Sequence, residues 1–321
     1  MKILKNKIKT SLLSLSLLSI IILGILSTSI SASTTYQLTL AKSTNEFVVD
    51  LYNDAEWKTT VDPSSTPIDW FGGDANVTNA KSKVTLKGWT TNTWRAYNVL
   101  TSIVMPEYFN LFEIGLILTI IGTQGYNETT INESYNNNFS SWFGLRAVWS
   151  YTSKAFEENP NTNDGVIIFQ DPLDVKTMLD DYNALAAEFN VNPIINMSVL
   201  FPIVNADDFL WQLIFNGLAI AEPQNSYLDS LVTKLGCENA TVSGSTLIIE
   251  RFGLTNYTVE ISYGEKGMMS CFTVKNVDGD IIYRITSSNS DWLFYLILII
   301  VVVFSIAIIT FIIIRKKKLK R

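Results

Sequence analysis

Histidine is absent from all 321 residues. Its absence removes the usual general base near neutral pH and the commonest transition-metal ligand. Histidine-dependent triads, Cys-His dyads and HExxH zinc sites are therefore excluded. Cysteine is scarce: Cys237 and Cys271 are the only two, too few for a zinc site of four thiolates. The chain also lacks an Asp-Thr/Ser-Gly aspartic-protease signature, a Gly-x-Ser-x-Gly elbow and any repeat of fixed period. No motif fixes a cofactor, a ligand or a reaction.

Basic residues are sparse between the two ends. Lys2, Lys5, Lys7 and Lys9 open the chain, and Arg315, Lys316, Lys317, Lys318, Lys320 and Arg321 close it. That leaves 14 of the 24 basic residues against all 30 acidic ones, a balance of −16 for the part between. Such a surface repels nucleic acid and anionic headgroups, because both are bound through basic clusters.

The ends act as an address. The early lysines, the apolar stretch from Leu12 to Leu26 and the small residues from Ser27 to Ser33 are the three parts of an export signal, expected over 1–33. Near the other end, Trp292 to Ile314 is a 23-residue uncharged apolar run. As a helix it would reach about 34 Å, enough to cross a hydrocarbon core of about 30 Å. Residues 291–314 are thus expected to span a membrane. Trp292 would lie at the interface, and the basic tail 315–321 would be held in the cytoplasm. The expected topology is a single-pass type I protein with its bulk at the cell surface.

An exported compartment favours pairing of Cys237 with Cys271. The loop closed would hold about 35 residues, worth about 4 kcal/mol in the chain-entropy picture. It also makes Asn-x-Ser/Thr sequons candidate glycosylation sites, at Asn76, Asn127, Asn132, Asn138, Asn196, Asn239 and Asn256. Calcium is a possible partner of so acidic a domain, through Asn276 to Asp280 or Asn159 to Asp164. Neither segment matches an EF-hand loop.

The expected fold class is α+β: a mainly antiparallel sheet with a helical middle segment. Tyr257, Val259, Ile261 and Tyr263 alternate with polar residues, the period of a half-buried strand. Strands are likewise expected over 246–251, 268–275 and 281–285, the last two joined at Asp278-Gly279, which gives a C-terminal meander. Between 171 and 236 the period changes to helical, with Val175, Met178, Leu179, Tyr182, Leu185, Ala186 and Phe189 on one face. Asp171 is the expected helix start and Gly236 a stop. A further helix is expected after Asn205. The first 120 residues beyond the signal read mainly as strands, including 46–52 and 83–97, with loops over 63–79 and 125–141. The apolar stretch 114–121 is too short to span a bilayer; a buried strand or helix, or a wall of an apolar pocket, fits it. Residues 158–165 mark a boundary between an N-terminal part, 34–160, and a C-terminal part, 161–290.

Candidate catalytic groups are confined to carboxylate pairs, which glycoside hydrolysis uses without histidine. Glu157-Glu158, Asp180-Asp181, Asp207-Asp208, and Asp69 with Asp74 are available, although sequence neighbours on a helix do not oppose each other across a cleft. Seven tryptophans, Trp57, Trp70, Trp89, Trp94, Trp142, Trp149 and Trp211, read first as core and second as binding surface.

Along Phe71-Gly-Gly-Asp-Ala-Asn76, and from Lys266-Gly-Met-Met-Ser270 through Asp278-Gly279 to Asp291-Trp292, the chain resembles uncharacterised archaeal type I surface proteins. The resemblance implies their signal-ectodomain-anchor plan and an archaeal-type envelope, and no activity. The leading expectation is a cell-surface ectodomain for binding or adhesion to a protein or glycan. The alternatives are a carrier of lipid or another apolar ligand, and a carboxylate-dependent glycan hydrolase.

Overall fold

The computed structural model describes residues 35–39, 44–160 and 162–288. The expected signal 1–33, Trp292 with the apolar run, and Arg315, Lys316, Lys317 and Lys318 lie outside the described residues. Within them, no helix is long and apolar enough to cross a membrane.

The fold is a mostly antiparallel half-barrel sheet with helices. Its strands are β1 (Thr44–Tyr52), β2 (Lys81–Trp94), β3 (Phe139–Thr152), β4 (Thr162–Phe169), β5 (Ala240–Ser243), β6 (Thr246–Phe252), β7 (Asn256–Tyr263), β8 (Met269–Lys275) and β9 (Ile281–Ser288). Their order across the sheet is β4-β3-β2-β1-β9-β8-β7-β6-β5. The seam joins the first strand to the last, with Val49 opposite Ile285 and Phe47 opposite Ser287. Residues 34–160 and 161–290 therefore contribute to one sheet, and 158–165 falls in the β3–β4 connection and the start of β4.

Direct cross-strand partners point to the same face, so register places the core. Leu247, Ile261, Phe272, Ile285 and Val49 stand opposite one another across five strands, and each is fully buried. Burying each side chain is worth about 1.5–3 kcal/mol. The expected alternation in β7 is present, with Tyr257, Val259, Ile261 and Tyr263 all buried.

The helices are α1 (Asp54–Thr60), α2 (Ile68–Phe71), α3 (Ala96–Val99), α4 (Met105–Tyr108), α5 (Leu111–Thr123), α6 (Glu128–Ser134), α7 (Asp174–Val191), α8 (Pro193–Ser198), α9 (Ala206–Phe215) and α10 (Gln224–Leu235). A π-helical stretch, Leu100–Val104, joins α3 to α4. All seven residues expected on the inner face of α7 are buried. Asp171 still marks its start: its carboxylate accepts from the Leu173 amide at 2.9 Å, although the helix begins at Asp174. Gly236, at φ 81°, stops α10 in the left-handed region that glycine favours.

Helix α9 links the two margins of the half-barrel. At its start the Asp207 carboxylate accepts from the amides of Glu238 and Asn239, and Asp208 pairs with Arg251 of β6 at 3.1 Å. At its end Gly217, at φ 84°, reverses the chain, and Leu218 donates back to Leu213 at 3.0 Å. Ile167 of β4 then donates to Gly217, and Ala219 donates to Ile167, which pairs the β4 edge. Ile220 goes on to donate to Gly267, in the β7–β8 turn. A Cβ at Gly267 would lie 1.9 Å from the Ile220 carbonyl oxygen, so only glycine fits.

Several expectations change. Of the alternatives for 114–121 the helix forms, in α5, but the stretch is largely uncovered, with only Ile117 and Ile121 buried. The expected loop 125–141 contains α6 and the start of β3, because Asn127 accepts from the Thr130 amide and caps a helix. Tyr97 lies in α3, since β2 ends at Trp94. The cysteines are free thiols, not a disulfide. Cys271 points to the sheet face opposite Phe272 and Val274, its sulfur 3.4 Å from the Thr273 hydroxyl. Cys237 instead packs against the core that Phe272 and Val274 help to form.

Candidate functional site

A cavity of about 320 Å³ lies between the concave face of the sheet, α2 and the last turn of α9. It falls in the ordinary size range of small-molecule sites, about 300–1,000 Å³. Its walls are mixed: Trp70 and Phe71 from α2, Phe215 from α9, Phe272 from β8, and Val84 and Val148 from β2 and β3 give an apolar, aromatic side, and Ser82, Arg146, Ser150, Thr162 and Asp164 a polar one. Phe71 meets Phe272 at 5.0 Å between ring centroids and Phe215 at 5.8 Å, in edge-on or tilted geometry.

Helix α2 has only four residues and cannot hold itself in place by helical hydrogen bonds alone. The segment Phe71-Gly-Gly-Asp-Ala-Asn76 does so. Gly72 and Gly73 turn the chain at φ 69° and 56°, and a Cβ on Gly73 would strike the Tyr151 carbonyl oxygen at 2.3 Å. The Asp74 amide donates to that same oxygen, and its carboxylate accepts from the Ser153 amide and hydroxyl at 2.8 and 2.9 Å. Those bonds pull the Asp74 carboxyl below its ordinary range. The motif thus clamps the aromatic floor of the cavity onto the end of β3.

One ion pair stands at the wall. Register sets Arg146 of β3 opposite both Leu86 and Asp164, so its side chain points inward with Val84 and Val148. Its guanidinium donates to the Asp164 carboxylate at 2.7 Å. The two are unequally wet, with side-chain exposures of 18% for Arg146 and 54% for Asp164. The carboxylate therefore stands toward solvent and the guanidinium stands deeper. The Arg146 Nε–H is buried and has no acceptor among the described residues. A Cβ on Gly217 would come within 3.2 Å of the guanidinium, so this glycine leaves room for it. Ser150 and Thr162 add hydroxyls, and burial raises the Tyr151 and Tyr263 phenols far above their usual range. Both stay neutral.

The carboxylate pairs do not meet here. Asp164 is the one acidic residue among those lining the cavity. Asp180 pairs with Lys176, Asp181 accepts from Asn137, Asp207 and Asp208 secure α9, and Asp69 accepts from the Thr66 amide. Stretch 114–121 does not line the cavity either. A wider polar groove of about 600 Å³ lies by the β6–β7 and β8–β9 turns, where Glu260 and Lys275 already neutralise each other at 2.6 Å. In the calcium candidates, the Asn276 oxygen accepts from the amides of Asp278 and Asp280, and Asp164 is held by Arg146. Among the described residues no group of three metal-ligating side chains gathers.

Of the tryptophans, Trp57 and Trp94 are buried, and Trp70, Trp89, Trp142 and Trp211 pack half-buried against the core. Trp149 lies under the Lys83 ammonium at 5.1 Å. Among the sequons, Asn127, Asn138, Asn196, Asn239 and Asn256 are exposed, and Asn76 is half-buried. Asn132 is buried and accepts from the Tyr97 amide, so a glycan there would require this helix pair to open.

Searches against protein-family models, curated proteins and solved structures gave no significant match.

Proposed function

We propose that this chain is a membrane-tethered, extracytoplasmic binding protein whose half-barrel holds a small, largely apolar ligand. One observation carries the reading: an aromatic cavity of about 320 Å³ with a deep guanidinium whose Nε–H lacks an acceptor. A ligand with an apolar body and a carboxylate or phosphate end would bury its body against Phe71, Phe215 and Phe272. Its anionic end would take donors from Arg146, in competition with Asp164. Charge-assisted hydrogen bonds are worth about 1.5–3 kcal/mol each, more than a neutral pair. The tether supplies location, from the expected signal 1–33 and span 291–314.

This choice ranks a small ligand above a protein or glycan partner. Sugar platforms need exposed aromatic faces, and the described tryptophans are buried or packed against neighbours. It also ranks binding above hydrolysis, since the cavity brings together one carboxylate and not two.

Native mass spectrometry of the full chain, released from membranes in mild detergent, tests the reading. A bound small-molecule mass should accompany the wild type and fall about tenfold in Arg146→Met. Equal occupancy in the two proteins would remove Arg146 from the site. A wild type that never carries a small molecule, and takes none from a panel of fatty acids and lysophospholipids, would end the proposal.

A further inference from the structure

The outer face of the C-terminal strands turns an aromatic ring toward solvent. Phe252, at the end of β6, is 78% exposed, and Val277 in the β8–β9 turn is 67% exposed. Both line the polar groove of about 600 Å³, with Glu250, Thr258, Glu260 and Lys275. Alternation places the ring there: Leu247 and Ile249 of β6 point inward, so Glu250 and Phe252 point outward.

Register supplies the occupant. Phe252 stands directly opposite Asn256 of β7, and Asn256-Tyr257-Thr258 is a sequon. The Cβ atoms of such a pair lie about 4.5–5.5 Å apart on one face. Asn256 and Thr258 both point outward, because Tyr257 and Val259 fill the inner face. The turn between the two strands is fastened to the end of α1. There the Thr255 amide donates to the Thr60 carbonyl at 3.1 Å, and a Cβ on Gly253 would lie 2.2 Å from the Val61 carbonyl oxygen. Ring and amide are therefore held in one arrangement. Other sequons are less free. Asn132 is buried, and the amide nitrogens of Asn196 and Asn239 donate to the Asn190 carbonyl and the Asp207 carboxylate. The Asn256 side chain is exposed and makes no hydrogen bond among the described residues.

We infer that Asn256 carries an N-linked glycan whose first sugars lie in this groove and pack on the Phe252 ring. The step is a substitution at the anomeric carbon C1 of an oligosaccharide held by a polyprenyl phosphate. The C1–O bond to phosphate breaks, a C1–Nδ2 bond forms, the lipid phosphate leaves and the amide gives up one proton. A phenyl ring presents a negative face, which suits the C–H face of a sugar. Glu250, Thr258 and Lys275 offer partners to its hydroxyls at the rim. A single ring would hold a free sugar weakly. Attachment at Asn256 makes the contact intramolecular, at an effective concentration on the order of millimolar. That favours the chain's own glycan over a separate glycan partner. The inference rests on the exported reading of the chain and not on any occupant of the cavity.

The full chain, purified from its native membranes, is mapped by glycopeptide mass spectrometry and by hydroxyl-radical footprinting, which oxidises exposed phenyl rings. The main form of the Asn256 peptide should carry sugar, and Phe252 should resist oxidation. Asn256→Gln and Thr258→Ala, which remove the sequon, should lose that protection, while Thr258→Ser keeps the sequon and should retain it. Loss of the glycan should lower the melting temperature by about 2–4 °C when Phe252 is present, and leave it unchanged in a Phe252→Ala background. An equal drop in both backgrounds would overturn the ring contact. A bare Asn256 as the main form would overturn the proposal; sugar on other sequons would then leave the exported reading standing, and bare sequons throughout would remove it too. Equal oxidation of Phe252 in the glycosylated wild type and in Asn256→Gln would overturn the packing. Protection kept in Asn256→Gln and lost in Asn239→Gln would give the groove to a different glycan and overturn the assignment.

Discussion

In β6 to β9, inward apolar residues alternate with outward polar ones, and the strands are joined by short turns. In the other half β2 and β3 run 14 residues each and their pairing is interrupted twice, at Lys81/Lys83 and Leu86/Gly88, against one interruption each in β7–β8 and β8–β9; Val166 to Phe169 of β4 are all buried. The first region is a plain wall around a core. The second bends, takes helices at one end and lines a cavity with the Arg146–Asp164 pair. Arg146 faces inward by plain alternation with Val148, since the β3–β4 ladder is unbroken from Ser141 to Val148. Both halves line the cavity, the first through Ile261, Tyr263 and Phe272, and the second alone brings a charged pair to it.

Substitutions can test that contrast. Leu247→Ala, in the plain wall, should cost about 2–5 kcal/mol by leaving a core cavity, read as a lower urea midpoint. A loss under about 0.5 kcal/mol, the surface value, would show that this wall does not hold the core. Gly267→Ala should cost about 2–3 kcal/mol, through its left-handed backbone and the close Ile220 carbonyl. An unchanged melting temperature would mean that the tie between the β4 edge and the β7–β8 turn is absent in solution.

Smaller effects follow from titration. Burial, aided by the Asp207 charge, pushes the Cys237 thiol up to about 12, and burial likewise raises the Tyr227 and Tyr263 phenols. In the unfolded chain such groups release protons near 8.5–10. Folded stability is therefore full below that range and declines as pH climbs through it toward the folded values. Melting temperatures recorded from neutral to alkaline pH should fall only in that upper window; a decline beginning near neutrality would contradict these burials. Because the thiols are free and on different faces, adding a reductant should leave the melting temperature where it was. A drop on reduction would restore the disulfide.

The plain half was the legible half. Alternation at Tyr257 to Tyr263, the helical face of α7 and the stop at Gly236 are local patterns, and each reappears with its expected partners. The α+β class follows from them at the coarse level. The other half hid its organisation in register. Nothing near Arg146 in sequence announces Asp164 as its cross-strand neighbour, since the pairing depends on the β3–β4 ladder. The glycines at 72 and 73 signalled a turn, but not that the turn fastens Phe71 into a cavity. Asn127 looked like loop composition and is a helix cap. Spacing and composition did not show that Cys271 lies on the outer face of the sheet while Cys237 packs toward the core.

Filling the cavity tests the binding site most directly. Val148→Phe places a ring on the inner face of β3, in the cavity wall. Calorimetric titration of the full chain with a medium-chain fatty acid, beside its melting temperature, reads binding and stability together. The expected result is binding weakened about tenfold or more with the melting temperature held or raised, since an empty cavity is a stability reserve. Undiminished binding in Val148→Phe would place the ligand elsewhere on the molecule and contradict a binding site in the half-barrel.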